Sequence, residues 1–107
     1  MHSQIIYTAI KEMRLLNFTY NDCHRVVEPH RYGISDSGNE LLRCYQIRGN
    51  SSSGKVPAWL LLTVEKIMNL TLCQETFPKP RDGYTKDDKA MSTIFCELEK
   101  PHSRILR

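Results

Sequence analysis

Arg25-Val26-Val27-Glu28-Pro29-His30-Arg31-Tyr32-Gly33-Ile34, then Ser35-Asp36-Ser37-Gly38-Asn39, then Glu40-Leu41-Leu42-Arg43-Cys44-Tyr45-Gln46-Ile47-Arg48: the fold turns on this stretch. Two runs rich in β-branched and aromatic residues flank a strong turn signal at residues 36–39, which predicts a β-hairpin. Pro29 has no N–H to offer a sheet ladder, so it belongs at an edge or a bulge. Pairing Asp36 with Asn39 sets a register. Ile34 then faces Leu41, Tyr32 faces Arg43, His30 faces Tyr45 and Glu28 faces Ile47. Side chains alternate along a strand, so these eight share one face. The other face holds Val27, Arg31, Leu42, Cys44, Gln46 and Arg48. Neither face is cleanly apolar, and the pattern leaves open which one is inside.

Upstream, residues 3–16 read as a helix. Ser3 can cap it, and Ile6, Ala9, Ile10 and Met13 fall at helical spacing on one face. The period changes after Asn17: Phe18-Thr19-Tyr20 is a short strand and Asn21-Asp22 a turn. Downstream, residues 49–54 form a loop and residues 56–64 a Leu-rich fourth strand. Glu65-Lys66 make a single helical turn, and residues 67–73 a fifth strand. One helix followed by five short strands predicts a mainly β (α+β) domain over residues 1–76, a small, strongly bent five-stranded barrel capped by the helix. Residues 77–107 are expected as a short C-terminal extension packed on the barrel, not as a separate domain. Phe77 and Tyr84 would pin it there. Thr85-Lys86-Asp87-Asp88 resembles a capping box and predicts a short helix to about Met91. Residues 92–99 suit a last strand, and residues 101–107 a frayed basic end.

At 107 residues, with 40% hydrophobic and 25% charged, the chain has room for one ordinary globular domain. No apolar run is long enough for a membrane helix, and Lys11, Glu12 and Arg14 spoil a signal-peptide reading, which predicts a cytoplasmic protein with no membrane partner. The net charge of +3 permits a polyanionic partner without demanding one. Cys23, Cys44, Cys73 and Cys96 are far apart, with no Cys-x-x-Cys pair, so free thiols and no metal site are expected. No phosphate-loop or nucleophile-elbow motif is present, so neither an enzyme nor a bound cofactor is predicted.

The helix, then Phe18-x-Tyr20, then Arg25-x-Val27-Glu28-Pro29, then Gly38 before a Leu-rich strand, then Val64-Glu65-Lys66-Ile67, resembles the WYL domain over about residues 5–75. The resemblance implies an Sm-like (Src-homology-3-type) small barrel in a bacterial protein. It also implies sensing of nucleic acids or nucleotide-type ligands in transcription control or phage defence. Family members are commonly fused to a DNA-binding domain. The helix here begins almost at Met1, so a single-domain version is expected. The Trp-Tyr-Leu that names the family falls at Glu40-Leu41-Leu42, where only Leu42 matches. In the stretch most often tied to the family's ligand, Leu60 and Thr63 replace two arginines.

The expected register brings His30, Tyr32, Arg43 and Tyr45 within reach of one another, and an arginine flanked by aromatic rings can hold a phosphate and stack a base. Trp59, the lone tryptophan, is a further candidate stacking platform. The other reading of these residues is packing: the tyrosines fill the barrel and Arg43 meets Glu28 or solvent. Two functions follow. One is a non-enzymatic regulatory or sensor domain that binds single-stranded nucleic acid or a nucleotide-like anion through His30, Tyr32, Arg43, Tyr45 and Trp59. The other is a structural interaction module, binding a regulatory protein or a second copy of itself, that has lost the ligand residues.

Overall fold

The computed structural model describes residues 2–85 and 87–99. The first element, α1 (His2–Glu12), buries Ile6, Ala9 and Ile10 and leaves Lys11 and Glu12 outside. It stops four residues earlier than the apolar spacing predicts. Met13 takes a left-handed conformation with φ of 53°, and strand β1 (Arg14–Tyr20) begins at the next residue. Leu15 and Leu16, expected as the last helical turn, are both buried strand residues. A register shift against β5 between Arg14 and Leu16 accommodates two consecutive inward leucines.

Asn21 and Asp22, with φ of 51° and 59°, close the tight β1–β2 hairpin, the backbone that a two-residue turn between twisted strands requires. The remaining strands are β2 (Cys23–Ile34), β3 (Glu40–Gly49), β4 (Ala58–Thr63), β5 (Met68–Thr76) and β6 (Thr93–Glu97). A 3-10 turn, Val64–Lys66, joins β4 to β5, as the sequence suggests. All pairings are antiparallel, in the order β4-β3-β2-β1-β5, with β6 added to β2.

This is an open six-stranded sheet, not the closed five-stranded barrel expected above. The end strands β4 and β5 each pair with one neighbour and not with each other. The sixth strand comes from the C-terminal extension. It takes the half of β2's edge that β1 does not cover: β1 pairs along Cys23–Val27, and β6 along residues 31–34. Pro29 lies in the gap between them, where its missing N–H costs no ladder bond, and β2 is bulged between Pro29 and Arg31. Gly33 allows β6 to approach. A Cβ there would lie 2.4 Å from the Thr93 carbonyl oxygen and 2.8 Å from the Met91 sulfur.

The β2–β3 register also differs from the expected one. Ile34 pairs with Glu40, Tyr32 with Leu42, Arg31 with Arg43, Pro29 with Cys44, Glu28 with Tyr45 and Val27 with Gln46. The 35–39 turn is asymmetric, closed by Ser35 N–H to the Asn39 carbonyl at 2.9 Å, with Gly38 at φ of 88°. That slips the pairing by one residue, and a one-residue slip exchanges faces. Tyr32, Leu42 and Cys44 go inward, among Ile6, Phe18, Val27, Leu62 and Ile67. Each large aliphatic side chain so buried contributes about 1.5–3 kcal/mol. Arg31, Arg43 and Tyr45 go outward. The bulge at His30 then resets the parity, so Glu28 shares the outer face with them.

Residues 85 and 87–91 hold turns and no helix, so the capping-box reading fails among the described residues. Lys86 and the basic end at residues 101–107 lie outside the described residues. Among those described, no helix is long and apolar enough to cross a membrane.

Candidate functional site

The outer face of β2, β3 and β4 carries Glu28 and Arg31, then Arg43 and Tyr45, then Trp59 and Leu61, aligned by the strand registers. Residues 77–85 and 87–91 cross this face. Phe77 and Tyr84, the two rings expected to pin the extension, are both buried, and the Tyr84 hydroxyl donates to the Leu98 carbonyl at 2.6 Å. Burial raises the Tyr84 pKa to about 12, so the hydroxyl stays a donor.

His30 is fully buried, with its ring 4.7 Å from Trp59, 5.0 Å from Tyr84 and 5.7 Å from Phe77. The Arg81 backbone N–H must donate, so the ring nitrogen it meets at 3.0 Å, Nε2, carries no proton. Nδ1 is then the protonated nitrogen and donates to the Glu28 carbonyl at 2.8 Å. Desolvation lowers the His30 pKa below its ordinary value. With both nitrogens taken by backbone groups, His30 docks the crossing segment and is not placed to move a proton for a substrate.

Arg81 closes the next layer. Its guanidinium donates two bonds to Glu28, at 3.1 and 2.6 Å, and lies 4.6 Å over the Tyr45 ring, which itself meets Trp59 edge-on at 5.4 Å. Arg31 is buried. It donates to Glu97, to the Thr85 carbonyl at 2.8 Å and, at 3.5 Å, to Asp88, and its guanidinium sits 4.7 Å from the Tyr84 ring centre. Arg43 grips Asp88 with two parallel bonds, Nε to Oδ2 at 2.9 Å and Nη2 to Oδ1 at 3.0 Å. The Arg43 hydrogen bonds hold the Asp88 carboxyl below the usual carboxylate range. Beside this pair lies a concavity of about 410 Å³ bounded by Arg31, Arg43, Trp59, Tyr84 and Asp88.

The face thus gathers His30, Arg43, Tyr45 and Trp59, four of the five candidate binding residues. Tyr32 is not among them. The register slip turns it into the core, where its hydroxyl donates to Glu40 and its ring meets Tyr7 and Phe95. Arg31 joins the face instead, the reverse of the expected placement. Glu28, Arg81, Tyr84 and Asp88 complete it. Pro29 marks the bulge that changes the parity, but the partnership of Arg43 with Asp88 spans 45 residues and leaves no local pattern.

A larger hollow of about 730 Å³ lies elsewhere, between α1, Pro78, Pro80 and β6. Lys11, Met13 and Leu98 line it, and it lacks the arginine fork and paired rings of the first. Cys96 borders it with a thiol that burial pushes up to about 11, a poor nucleophile. All four cysteines are unpaired, and among the described residues no group of three or more His, Cys, Asp or Glu is placed to hold a metal ion.

Compared with known proteins, the chain matches no family model, no curated protein and no solved structure.

Proposed function

We propose that the chain is a non-enzymatic binding module for an anion that carries a flat ring, a nucleotide or the end of a nucleic-acid strand. Arg43 takes the phosphate and Trp59 meets the base. One observation carries this reading: the Arg43 guanidinium makes a two-bond fork at the wall of a concavity lined by Trp59 and Tyr84. A planar fork beside stacked rings is the chemistry that phosphate and base recognition use. The resemblance to the WYL domain supports a sensor role in transcription control or phage defence. The strand order β5-β1-β2-β3-β4 and the 3-10 turn before β5 support an Sm-like ancestry for the open sheet.

Fluorescence polarisation with labelled nucleotides and oligonucleotides, at several salt concentrations, tests this. Arg43→Ala should weaken binding and flatten the salt dependence, because each neutralised phosphate releases counterions. Trp59→Ala should weaken binding by about 1–3 kcal/mol and leave the salt slope nearly unchanged. Absence of binding at low salt defeats the reading.

The interaction-module reading has its own observation. The sheet's two ends carry exposed apolar side chains, Leu61 on β4 and Met68 on β5, beside edges that no strand among the described residues covers. Light scattering across a concentration series distinguishes a self-associating chain from a monomer.

A further inference from the structure

Asp88 reaches Arg43 from a turn, not from the sheet. Its Oδ1 also accepts the Ala90 N–H at 3.2 Å, and its carbonyl accepts the Met91 N–H at 3.2 Å. The residues around it, Asp87 and Lys89, are exposed, whereas the Asp88 side chain is only 5% exposed. The chain therefore places one of its own carboxylates in the arginine fork that the proposed ligand would use. Nε and Nη2 of Arg43 are the two donors a phosphate would take in the same fashion. Asp88 and a phosphate at this fork exclude each other.

Resting on the reading proposed above, we infer that Asp88 is a tethered competitor that raises the affinity a ligand needs, and that the ligand matched to Arg43 and Arg31 is a terminal phosphate monoester of a mononucleotide, not the phosphodiesters of a strand interior. A tethered group competes at an effective concentration of about the millimolar range, without any loss of translational freedom on docking. A phosphodiester brings one negative charge, the same as the carboxylate it must displace. It gains nothing in charge. A phosphate monoester brings about −1.5 to −2 at neutral pH, so the exchange is electrostatically favourable. Arg31 lies close enough to share that extra charge, since its Nη1 is already 3.5 Å from Asp88 Oδ2. The concavity of about 410 Å³ is within the size range of small-ligand sites, which suits a mononucleotide.

Displacement also has a structural consequence. A carboxylate left beside a bound phosphate repels it, so the turn at residues 87–90 moves outward with Asp88. Strand β6 stays, because the Ser92 N–H donates to the Ile34 carbonyl at 2.8 Å and the strand's ladder to β2 is independent of Asp88. Ligand occupancy is thereby converted into the position of an exposed turn.

The test compares wild type with Asp88→Asn, which keeps the shape and removes the charge. The probes are adenosine 5′-monophosphate, which ends in a monoester, and the dinucleotide ApA, whose only phosphate is a diester. Quenching of the lone Trp59 reads binding. Wild type should bind the monophosphate at least tenfold more tightly than ApA. Asp88→Asn should tighten both several-fold and by the same factor, because a competitor that excludes either probe scales their apparent affinities alike. Asp88→Ser serves the same purpose if the asparagine variant fails to fold, and circular dichroism checks each. Wild-type binding that Asp88→Asn and Asp88→Ser leave unchanged or weaken overturns the tethered competitor and spares the proposed function. Equal wild-type affinity for the two probes overturns the monoester assignment and likewise spares the proposed function. Failure of every folded protein to bind either probe at low salt overturns both.

Discussion

Nε2 of His30 accepts the backbone N–H of Arg81 at 3.0 Å, across 51 residues of sequence. That bond ties the crossing segment to the sheet, and it exists only while the imidazole is neutral. Protonation would put an N–H against an N–H. It would also place a buried cation near Arg81 and Arg31, with the Glu28 carboxylate as the nearby counter-charge.

The pH dependence of stability follows. His30 has its pKa lowered in the folded chain, so the unfolded chain binds the proton first as pH falls. Above about pH 6.5 both states are neutral and no penalty exists. Below it, stability declines until the pH reaches the depressed folded value. Urea midpoints measured from pH 8 to pH 5 should fall through this window. His30→Gln should flatten the decline; an unaltered decline would exclude His30 as its source.

Arg81 and Glu28 form the second tie. Glu28 is buried, whereas the Arg81 side chain is 43% exposed, so solvent screens part of the attraction. Arg81→Ala leaves a buried carboxylate without its cation and should cost about 1–3 kcal/mol, less than a fully buried pair. Glu28→Gln should cost less, because it leaves no buried charge. Thermal melts of the two variants and the double variant give the coupling. The site assignment of this pair fails if the single effects simply add.

Gly33 is a tight passage between β2 and β6. Gly33→Ala drives a methyl into the Thr93 carbonyl and the Met91 sulfur. The sulfur can swing aside, but the backbone oxygen belongs to a paired strand. Destabilisation of about 1–3 kcal/mol is expected, with early loss of amide protection in β6. Hydrogen exchange that shows β6 as protected as in wild type would contradict this.

Tyr32→Phe separates the two faces of the hairpin. The ring contacts to Tyr7 and Phe95 survive and the bond to Glu40 is lost, at a cost of about 1 kcal/mol. Nucleotide affinity should not change, because Tyr32 faces the core while Arg43 faces out. A loss of affinity equal to that of Arg43→Ala would restore the register expected from the sequence.

Much of the fold is legible in the residues. Apolar spacing places α1, Asn21-Asp22 and residues 36–39 mark turns, and alternation places the strands. Helix and strand patterns overlap at Leu15-Leu16, and only the positive φ of Met13 decides between them. Closure is not a local property, so the open sheet cannot be read from five consecutive strands. At the site, Arg43, Tyr45 and Trp59 are recognisable by type. Asp88 is not, because its partner lies 45 residues away and its own neighbourhood resembles a helix start. Register slip and bulge each exchange the two faces, so one missed residue of turn geometry swaps the sides expected for Tyr32 and Arg31.

The divided edge of β2 has a consequence for how the chain is made. Strands β1 to β4 pair with sequence neighbours and can assemble as they leave the ribosome. The edge of β2 at residues 31–34 must wait for β6, whose Glu97 lies 66 residues beyond its partner Arg31. Until then the nascent molecule shows a row of unmet backbone groups at residues 31–34. A premature stop before residue 93 would make that interval permanent and leave a sticky fragment that invites strands from other copies.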